Sequence, residues 1–227
     1  MVASVPVSLD FFAGDCVISR GGELGYVAGS TQDVWVIDMT ATPPSPASGV
    51  NPIHLTPEAS DLALSPDGRY LLSCAIFNGG AISVIDLGER LERSVYTLGD
   101  GDCSSIDVCG DGSVLVTSLF SGRVRRLVLD ANGLLTDSGN AASVVEPVNV
   151  TCAPDSRSAV VVSQGASILS SFLLPELDPV SERVLTGGVG ISSFPPVAVT
   201  NPAVVRSLIG MPGKRGNPDA VSVSRKM

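Results

Sequence analysis

The chain has 227 residues and a formal net charge of −9 at pH 7, with 24 glycines, 16 prolines and few aromatic residues. A negative surface repels the phosphate backbone, which argues against nucleic acid as a partner. The continuous apolar runs fall well short of the roughly 18 residues that cross a membrane, so no membrane span is predicted. Abundant glycine and proline are typical of a chain with many strands and turns.

A unit of three short apolar runs recurs along the chain, and its clearest copy occupies residues 61–87. Residues 66–68, Pro-Asp-Gly, join the first two runs, and residues 78–80, Asn-Gly-Gly, join the second and third. Asp-Gly and Asn-Gly supply the positive φ angles of tight hairpin turns, so the unit is predicted to be an antiparallel meander. The first-turn aspartate recurs every 44 residues, at Asp67, Asp111 and Asp155.

A fourth apolar run follows in each copy, at residues 53–55, 94–98, 143–145 and 183–185. Four short strands repeated at this period are the signature of propeller blades. The sequence therefore predicts an all-β fold, a β-propeller of four-stranded antiparallel blades. The repeats are placed at residues 15–55, 61–98, 105–145 and 149–185. Residues 40–52 contain four prolines and are predicted to form an exposed irregular loop.

The two ends of the chain carry the remains of a further blade. Residues 195–224 form an incomplete fifth copy, and residues 2–9 correspond to the outermost strand of a preceding blade. Joined in one sheet, they would close a ring of about five blades and leave no exposed sheet edge. The alternative is a fragment of a larger propeller. In both cases residues 1–227 are predicted to belong to a single domain.

The repeat resembles the YVTN-type β-propeller repeat, close to lactonase-like and WD40-like propellers. Residues 65–72, Ser-Pro-Asp-Gly-Arg-Tyr-Leu-Leu, and residues 82–87, Ile-Ser-Val-Ile-Asp-Leu, carry the resemblance. It implies a binding protein, a scaffold or, in a few members, an enzyme. It also implies a periplasmic or secreted protein if the amino terminus is truncated, because residues 1–7 lack the basic and apolar segments of a secretory signal.

Five cysteines are spread over the chain without a Cys-x-x-Cys pair. An odd number at such spacings does not indicate a fully paired disulfide framework. Cys16 and Cys152 fall in predicted inner strands and Cys109 ends one, where a cysteine behaves as a small buried hydrophobe. We therefore predict buried thiols, with a disulfide or metal role as the alternative.

Polar residues occupy the equivalent position at the start of each inner strand, namely Asp15, Asp61, Ser105 and Asn149. In a propeller these positions surround one mouth of the central channel, and Asp102 lies in a loop on the same side. Converging oxygens of Asp15, Asp61 and Asp102 are ligands suited to a hard cation such as Ca²⁺. The alternative is turn chemistry, in which such side chains cap their own backbone.

The turns between second and third strands are predicted to open on the same side as that mouth. They carry Phe77 and Phe120 at matching places in adjacent blades. Loop aromatics are enriched as anchors in binding sites, so the pair indicates a surface for a ligand or a protein partner. The alternative is that both rings turn inward and pack between the blades.

Residues for catalysis are scarce. His54, the single histidine, is predicted to face solvent on an outermost strand, away from any nucleophile that it would activate. Arg123, Arg125 and Arg126 form a basic cluster that is predicted to be a solvated face. We expect a non-enzymatic binding or scaffold propeller with no cofactor other than Ca²⁺. The alternatives are a lactonase-like hydrolase, a structural surface protein and a non-functional fragment.

Overall fold

The protein is described by a computed structural model that covers residues 14–29, 31–77, 79–164 and 168–184. The regular elements in these ranges are β-strands, arranged in four antiparallel sheets of consecutive strands. The all-β fold and its four-stranded antiparallel units are confirmed. Within the same ranges, no helix is long and apolar enough to cross a membrane.

Each sheet is called a blade, and the blades are numbered in chain order. Blade 1 contains β1 (Cys16–Ile18), β2 (Leu24–Val27), β3 (Thr31–Asp38), β4 (Ser45–Pro46) and β5 (Ile53–Ala59). Blade 2 contains β6 (Asp61–Leu64), β7 (Tyr70–Cys74), β8 (Gly79–Asp86) and β9 (Leu91–Gly101). Blade 3 contains β10 (Ser105–Val108), β11 (Ser113–Ser118), β12 (Arg123–Leu129) and β13 (Leu135–Ser143). Blade 4 contains β14 (Pro147–Cys152), β15 (Ser158–Ser163), β16 (Ile168–Leu173) and β17 (Asp178–Val184).

The turn between the first and second strands is built in the same way in three blades. Gly68 and Gly112 follow the turn aspartates with φ angles of 74° and 86°, a region that glycine enters without steric cost. Ser156 takes the equivalent place in blade 4 with a φ of 55°. The backbone geometry therefore repeats with the 44-residue period even where the glycine is absent.

The core lies between blades, because successive residues of a strand point to opposite faces of its sheet. In blade 2, Leu71 and Ile85 pack against blade 1, whereas Leu72 and Val84 pack against blade 3. All four side chains are fully buried. A similar apolar cluster fills the space between blades 3 and 4. Each blade is thus stabilised chiefly by its neighbours.

Two boundaries differ from the prediction. The proposed loop at residues 40–52 contains β4, and the Asn51 side chain accepts a hydrogen bond from Val36 N (2.9 Å) and donates one to Val36 O (2.7 Å). This side chain takes the place of a strand neighbour, so the segment lies against β3. In blade 3 the fourth strand begins at Leu135, because the carboxylate of Asp130 accepts hydrogen bonds from the amides of Asn132 and Leu134 and closes the turn at once.

The expectation of buried thiols was wrong for all five cysteines. Disulfides join Cys74 to Cys103 and Cys109 to Cys152, with sequence separations of 29 and 43 residues. The second separation is close to one repeat, so neighbouring blades bring the ends of their inner strands together. Cys16 is exposed rather than buried. Residues 2–9 and 195–224, the predicted closing blade, lie outside the described residues.

Candidate functional site

The four polar residues that open the inner strands lie in a series, called here the inner-strand row: Asp15, Asp61, Ser105 and Asn149. The negative charge of Asp15 acts on Asp61, and the Ser105 hydroxyl donates to Asp61. Asn149 Nδ2 in turn donates to Ser105 Oγ at 3.4 Å. The structure therefore brings together the equivalent positions of all four blades.

The inner-strand row also binds the backbone of the following blade. Asp61 Oδ2 accepts a hydrogen bond from Ile106 N at 2.8 Å, and Ser105 Oγ accepts one from Val150 N at 3.4 Å. Further along the same strand, Asp107 Oδ2 accepts one from Cys152 N at 2.8 Å. In each case the amide lies 45 residues after the side chain. These polar side chains therefore hold adjacent inner strands in register.

Asp61 has an unusual electrostatic environment. Burial penalises its charged form, and the negative charge of Asp15 adds to this penalty, so that the pKa of Asp61 is raised to about 7. The hydrogen bonds from Ile106 N and Ser105 lower the pKa but do not offset those two effects. Near neutral pH, this carboxyl group is therefore able to hold or release a proton.

Asp102 does not join the inner-strand row. It is fully buried, and its carboxylate accepts hydrogen bonds from Leu119 N at 2.6 Å and from Phe120 N at 3.2 Å. Within the ranges that the structure describes, no three acidic, histidine or cysteine side chains are grouped so that they could hold a metal ion. The predicted three-carboxylate arrangement of Asp15, Asp61 and Asp102 is therefore not formed, because backbone amides occupy the oxygens of Asp102.

Phe77 and Phe120 lie at the same end of the blades as the inner-strand row. Cys74 at the end of β7 pairs with Asp61 at the start of β6, so the turn that carries Phe77 follows at that end. The side called here the upper face contains the row and these turns. Phe77 is 46% exposed and Phe120 is 70% exposed. The alternative, in which both rings pack between the blades, is wrong, because both rings are exposed to solvent.

The Cys74–Cys103 disulfide supports this face, and sequence reasoning missed it. Cys74 precedes the turn of Phe77, and Cys103 follows Asp102, which binds the turn of Phe120. A Cβ on Gly80 would come within 2.7 Å of Asp102 O, so the backbones of blades 2 and 3 approach closely here. The sequence offers one signal for this disulfide, which is the position of each cysteine within its repeat. The number of residues between the cysteines gives no such signal.

A cavity of about 250 Å³ lies on the opposite side, between the turns of blades 2 and 3. Asp67, Asp111, Asp130 and Tyr70 contribute to its lining. Asp67 accepts hydrogen bonds from Ser65 Oγ and Arg69 N, which lower the pKa of its carboxyl group. Asp111 and Asp130 likewise accept hydrogen bonds from amides of their own turns, so these acids serve the turns that carry them.

The other candidate side chains lie outside the inner-strand row, and of these Arg123 stands at the upper face, where it begins β12 directly after the turn of Phe120. His54 is exposed on β5, where its Nδ1 lies 2.5 Å from Asp33 Oδ1. In the arginine cluster, Arg123 is exposed, Arg125 pairs with Asp137 at 3.3 Å, and Arg126 Nε donates to Ser113 Oγ at 2.9 Å. The histidine lies on an outermost strand, remote from the inner-strand row.

Comparisons with known proteins bear on the fold alone. No protein-family model and no curated protein matches the chain. A functionally unknown protein from Desulfotomaculum acetoxidans superposes with a TM-score of 0.71 and 18% identity, over 86% of this chain and 61% of that one. A 6-phosphogluconolactonase candidate from Bacteroides fragilis superposes with a TM-score of 0.64 and 15% identity, over 77% of this chain and 57% of that one. Dihydro-heme d1 dehydrogenase NirN superposes with a TM-score of 0.62 and 19% identity, over 77% of this chain and 37% of that one.

The neighbours are propeller-like proteins, and the present chain shares their blade architecture. It spans about three-fifths of the length of the first neighbour and less of the other two. The neighbours differ widely in what their names describe. The likeness therefore fixes the fold, and the function must be argued from the upper face.

Proposed function

We propose that the chain is a non-enzymatic binding or scaffold propeller, and that a ligand or protein partner docks on the upper face. The observation that carries the proposal is the exposure of Phe77 and Phe120 on matching turns of adjacent blades. Aromatic rings on a surface supply large apolar contact area and are enriched among the residues that dominate binding energies. The net charge of −9 of the whole chain favours a partner of basic character that is apolar at the contact.

The support beneath Phe120 strengthens the proposal. The carboxylate of buried Asp102 binds the amides of Leu119 and Phe120, and the adjoining disulfide ties blade 2 to blade 3. A turn held in this way loses little conformational freedom on binding, which increases affinity. The repeats are proposed to be of the YVTN type on the residues at 65–72 and 82–87, a kind of propeller that includes many binding proteins.

The test is a comparison of partner capture and affinity between the wild type and a Phe77→Ser, Phe120→Ser double variant. Leu134→Ser is the matched control, since Leu134 is 50% exposed but lies on the turn between β12 and β13, at the other end of the blade. A partner identified by cross-linking to the wild type should bind the double variant at least about tenfold more weakly. It should bind the control unchanged. Equal affinity for all three proteins would refute docking on the upper face.

A lactonase-like hydrolase is the second candidate, and one observation favours it. The Asp15–Asp61 pair holds a carboxyl group with a pKa of about 7, which suits general acid–base catalysis at neutral pH. Hydrolysis of simple lactones that disappears in both Asp15→Asn and Asp61→Asn would establish this candidate. Turnover that survives in either variant would remove the pair from the mechanism.

Calcium binding at the upper face is a further proposal, now resting on Asp15 and Asp61 with other oxygen ligands from the bound partner or water.

We also propose an oxidising compartment, periplasmic or extracellular, because two disulfides of this kind persist where thiols are not kept reduced. Thiol-trapping of the protein from intact cells tests the compartment. Alkylation of all four cysteines that form the two disulfides would contradict the oxidising compartment.

A further inference from the structure

Each blade of the stack covers one face of the next blade, and the repeat shows which face this is. The residue that follows the inner-strand row is Leu62 in blade 2, Ile106 in blade 3 and Val150 in blade 4. These three side chains are buried, and each packs against the blade that precedes its own. The equivalent residue of blade 1 is Cys16, which is exposed. Among the described residues no blade precedes blade 1, so this face of it is open.

The open face of blade 1 is apolar. Its residues alternate along β1 to β3 with those that pack against blade 2, and they are called here the leading face: Cys16, Ile18, Val27, Trp35, Ile37 and Met39. Gly25 lies between Ile18 and Ile37 in the sheet, and a Cβ on Gly25 would come within 3.3 Å of Met39 Sδ. Ile18 is 47% exposed and Met39 is 39% exposed. Adjoining apolar side chains on a surface mark a contact site.

The charge of blade 1 limits what can cover the leading face. Residues 14–59 carry five acids and one arginine, for a net charge of −4 with His54 counted as neutral. Asp33 lies on the same side of β3 as Trp35, and Glu23 is exposed at the turn between β1 and β2. A complementary occupant is therefore apolar at the centre of the contact and basic around it.

The carboxy-terminal segment of the chain, which lies outside the described residues, has this composition. Residues 185–227 contain five basic residues and one acid, for a net charge of +4. The preceding 184 residues contain nine arginines and 22 acids, for a net charge of −13. The segment also includes the incomplete fifth copy of the repeat at residues 195–224. Its short apolar runs alternate with the basic residues, at residues 197–199, 203–205 and 208–209.

We propose that residues 185–227 dock on the leading face of blade 1 of the same chain. In blades 2 to 4 this face is covered by the preceding blade, and in a closed propeller the blade that precedes the first is the last. Burial of Ile18 and Met39 and the opposite charges of the segment and blade 1 both favour the contact. The inference is independent of what binds to the upper face.

The full chain has the chemistry for a direct test. Cys16 lies outside both disulfides, and the two lysines of the chain, Lys214 and Lys226, belong to the docking segment. A short thiol-to-amine cross-linker should join Cys16 to one of these lysines within a single molecule, as identified by mass spectrometry. A mixture of isotope-labelled and unlabelled chains distinguishes such links from links between two molecules. Links between molecules alone would assign the leading face to a second copy and overturn the proposal. Links to the amino-terminal amine alone, or none to either lysine, would also overturn it.

A pair of variants tests whether the link depends on the leading face. Ile18→Arg removes an apolar contact and adds a charge that repels the basic segment, so the rate of cross-linking should fall by about threefold or more. Val95→Arg is the matched control, because Val95 is exposed on β9 of blade 2, and it should keep the wild-type rate. Equal rates in the wild type and Ile18→Arg would show that the link arises from random encounters and would refute docking.

Discussion

The junction between blades 1 and 2 and the junction between blades 2 and 3 use the same positions of the repeat but different chemistry. Asp61 takes part in both. Toward blade 3 it accepts hydrogen bonds from a backbone amide and a hydroxyl, and the Cys74–Cys103 disulfide lies alongside. Toward blade 1 it faces a second carboxyl group. One junction is therefore covalently closed, and the other brings two acidic side chains near each other.

The difference shows that equivalent positions in a repeat need not have equivalent roles. Repetition of the backbone places a polar side chain at the start of every inner strand, but the identity of its neighbour decides what it does. Serine beside aspartate gives a neutral donor to a carboxylate, whereas a second aspartate nearby places a negative charge that raises the pKa of the first. Both junctions of blade 2 are packed with buried apolar side chains, so the difference between them lies in their polar residues and the disulfide.

The largest effect is expected from the apolar part of the first junction. Ile85 is fully buried and packs against blade 1, so Ile85→Ala should lower the free energy of unfolding by about 2–5 kcal/mol. The measurement is chemical denaturation monitored by circular dichroism. Val95→Ala is the control, because Val95 is 42% exposed on β9 and should change stability by less than about 0.5 kcal/mol. Equally small stability changes in the two variants would show that Ile85 does not pack between blades 1 and 2.

The second effect concerns the covalent link of the other junction. Replacement of Cys74 and Cys103 by alanine should lower the unfolding free energy by roughly 2–4 kcal/mol, because the unfolded chain regains the freedom that the cross-link removes. Alanine is chosen because both sites are buried. Cys16→Ala, at an exposed cysteine, should leave the denaturation midpoint unchanged. A stability loss in the Cys16 variant but not in the double variant would be inconsistent with the pairing.

The smallest effect is expected from calcium. At pH 8, above the raised pKa of Asp61, millimolar Ca²⁺ should raise the melting temperature slightly by binding the folded state. The gain should be absent in Asp61→Asn and small at pH 5.5, where the proton occupies the site. Identical wild-type curves with Ca²⁺, Mg²⁺ and chelator at pH 8 would contradict calcium binding.

The sequence was sufficient for the blade architecture because period, turn chemistry and strand alternation all act locally. Asp-Gly turns at a fixed spacing define hairpins, and hairpins of this kind with alternating apolar residues must stack to bury both faces. The boundaries of β4 and β13 were not predictable in the same way. They depend on single side chains, Asn51 and Asp130, whose hydrogen bonds redirect the backbone.

The inner-strand row was predictable as a set of equivalent positions, but its chemistry was not. Whether Asp102 joins Asp15 and Asp61 depends on two amides of a turn that lies 17 and 18 residues later. Likewise, the cysteine pairs are formed by contacts between blades and have no local signature. The role of each polar residue depends on residues that are distant in the sequence but close in space, and a single sequence does not reveal which residues these are.

The most direct test of the comparison is hydrogen–deuterium exchange of the full chain at pH 6 and pH 8, oxidised and reduced, with each rate corrected for intrinsic exchange. The rise in pH should speed exchange in the peptide that contains β1 and leave the peptide that contains β10 unchanged. Reduction should do the reverse, since the disulfides close the junctions of blade 3. Equal responses of both peptides to pH and to reductant would contradict the account of two chemically distinct junctions.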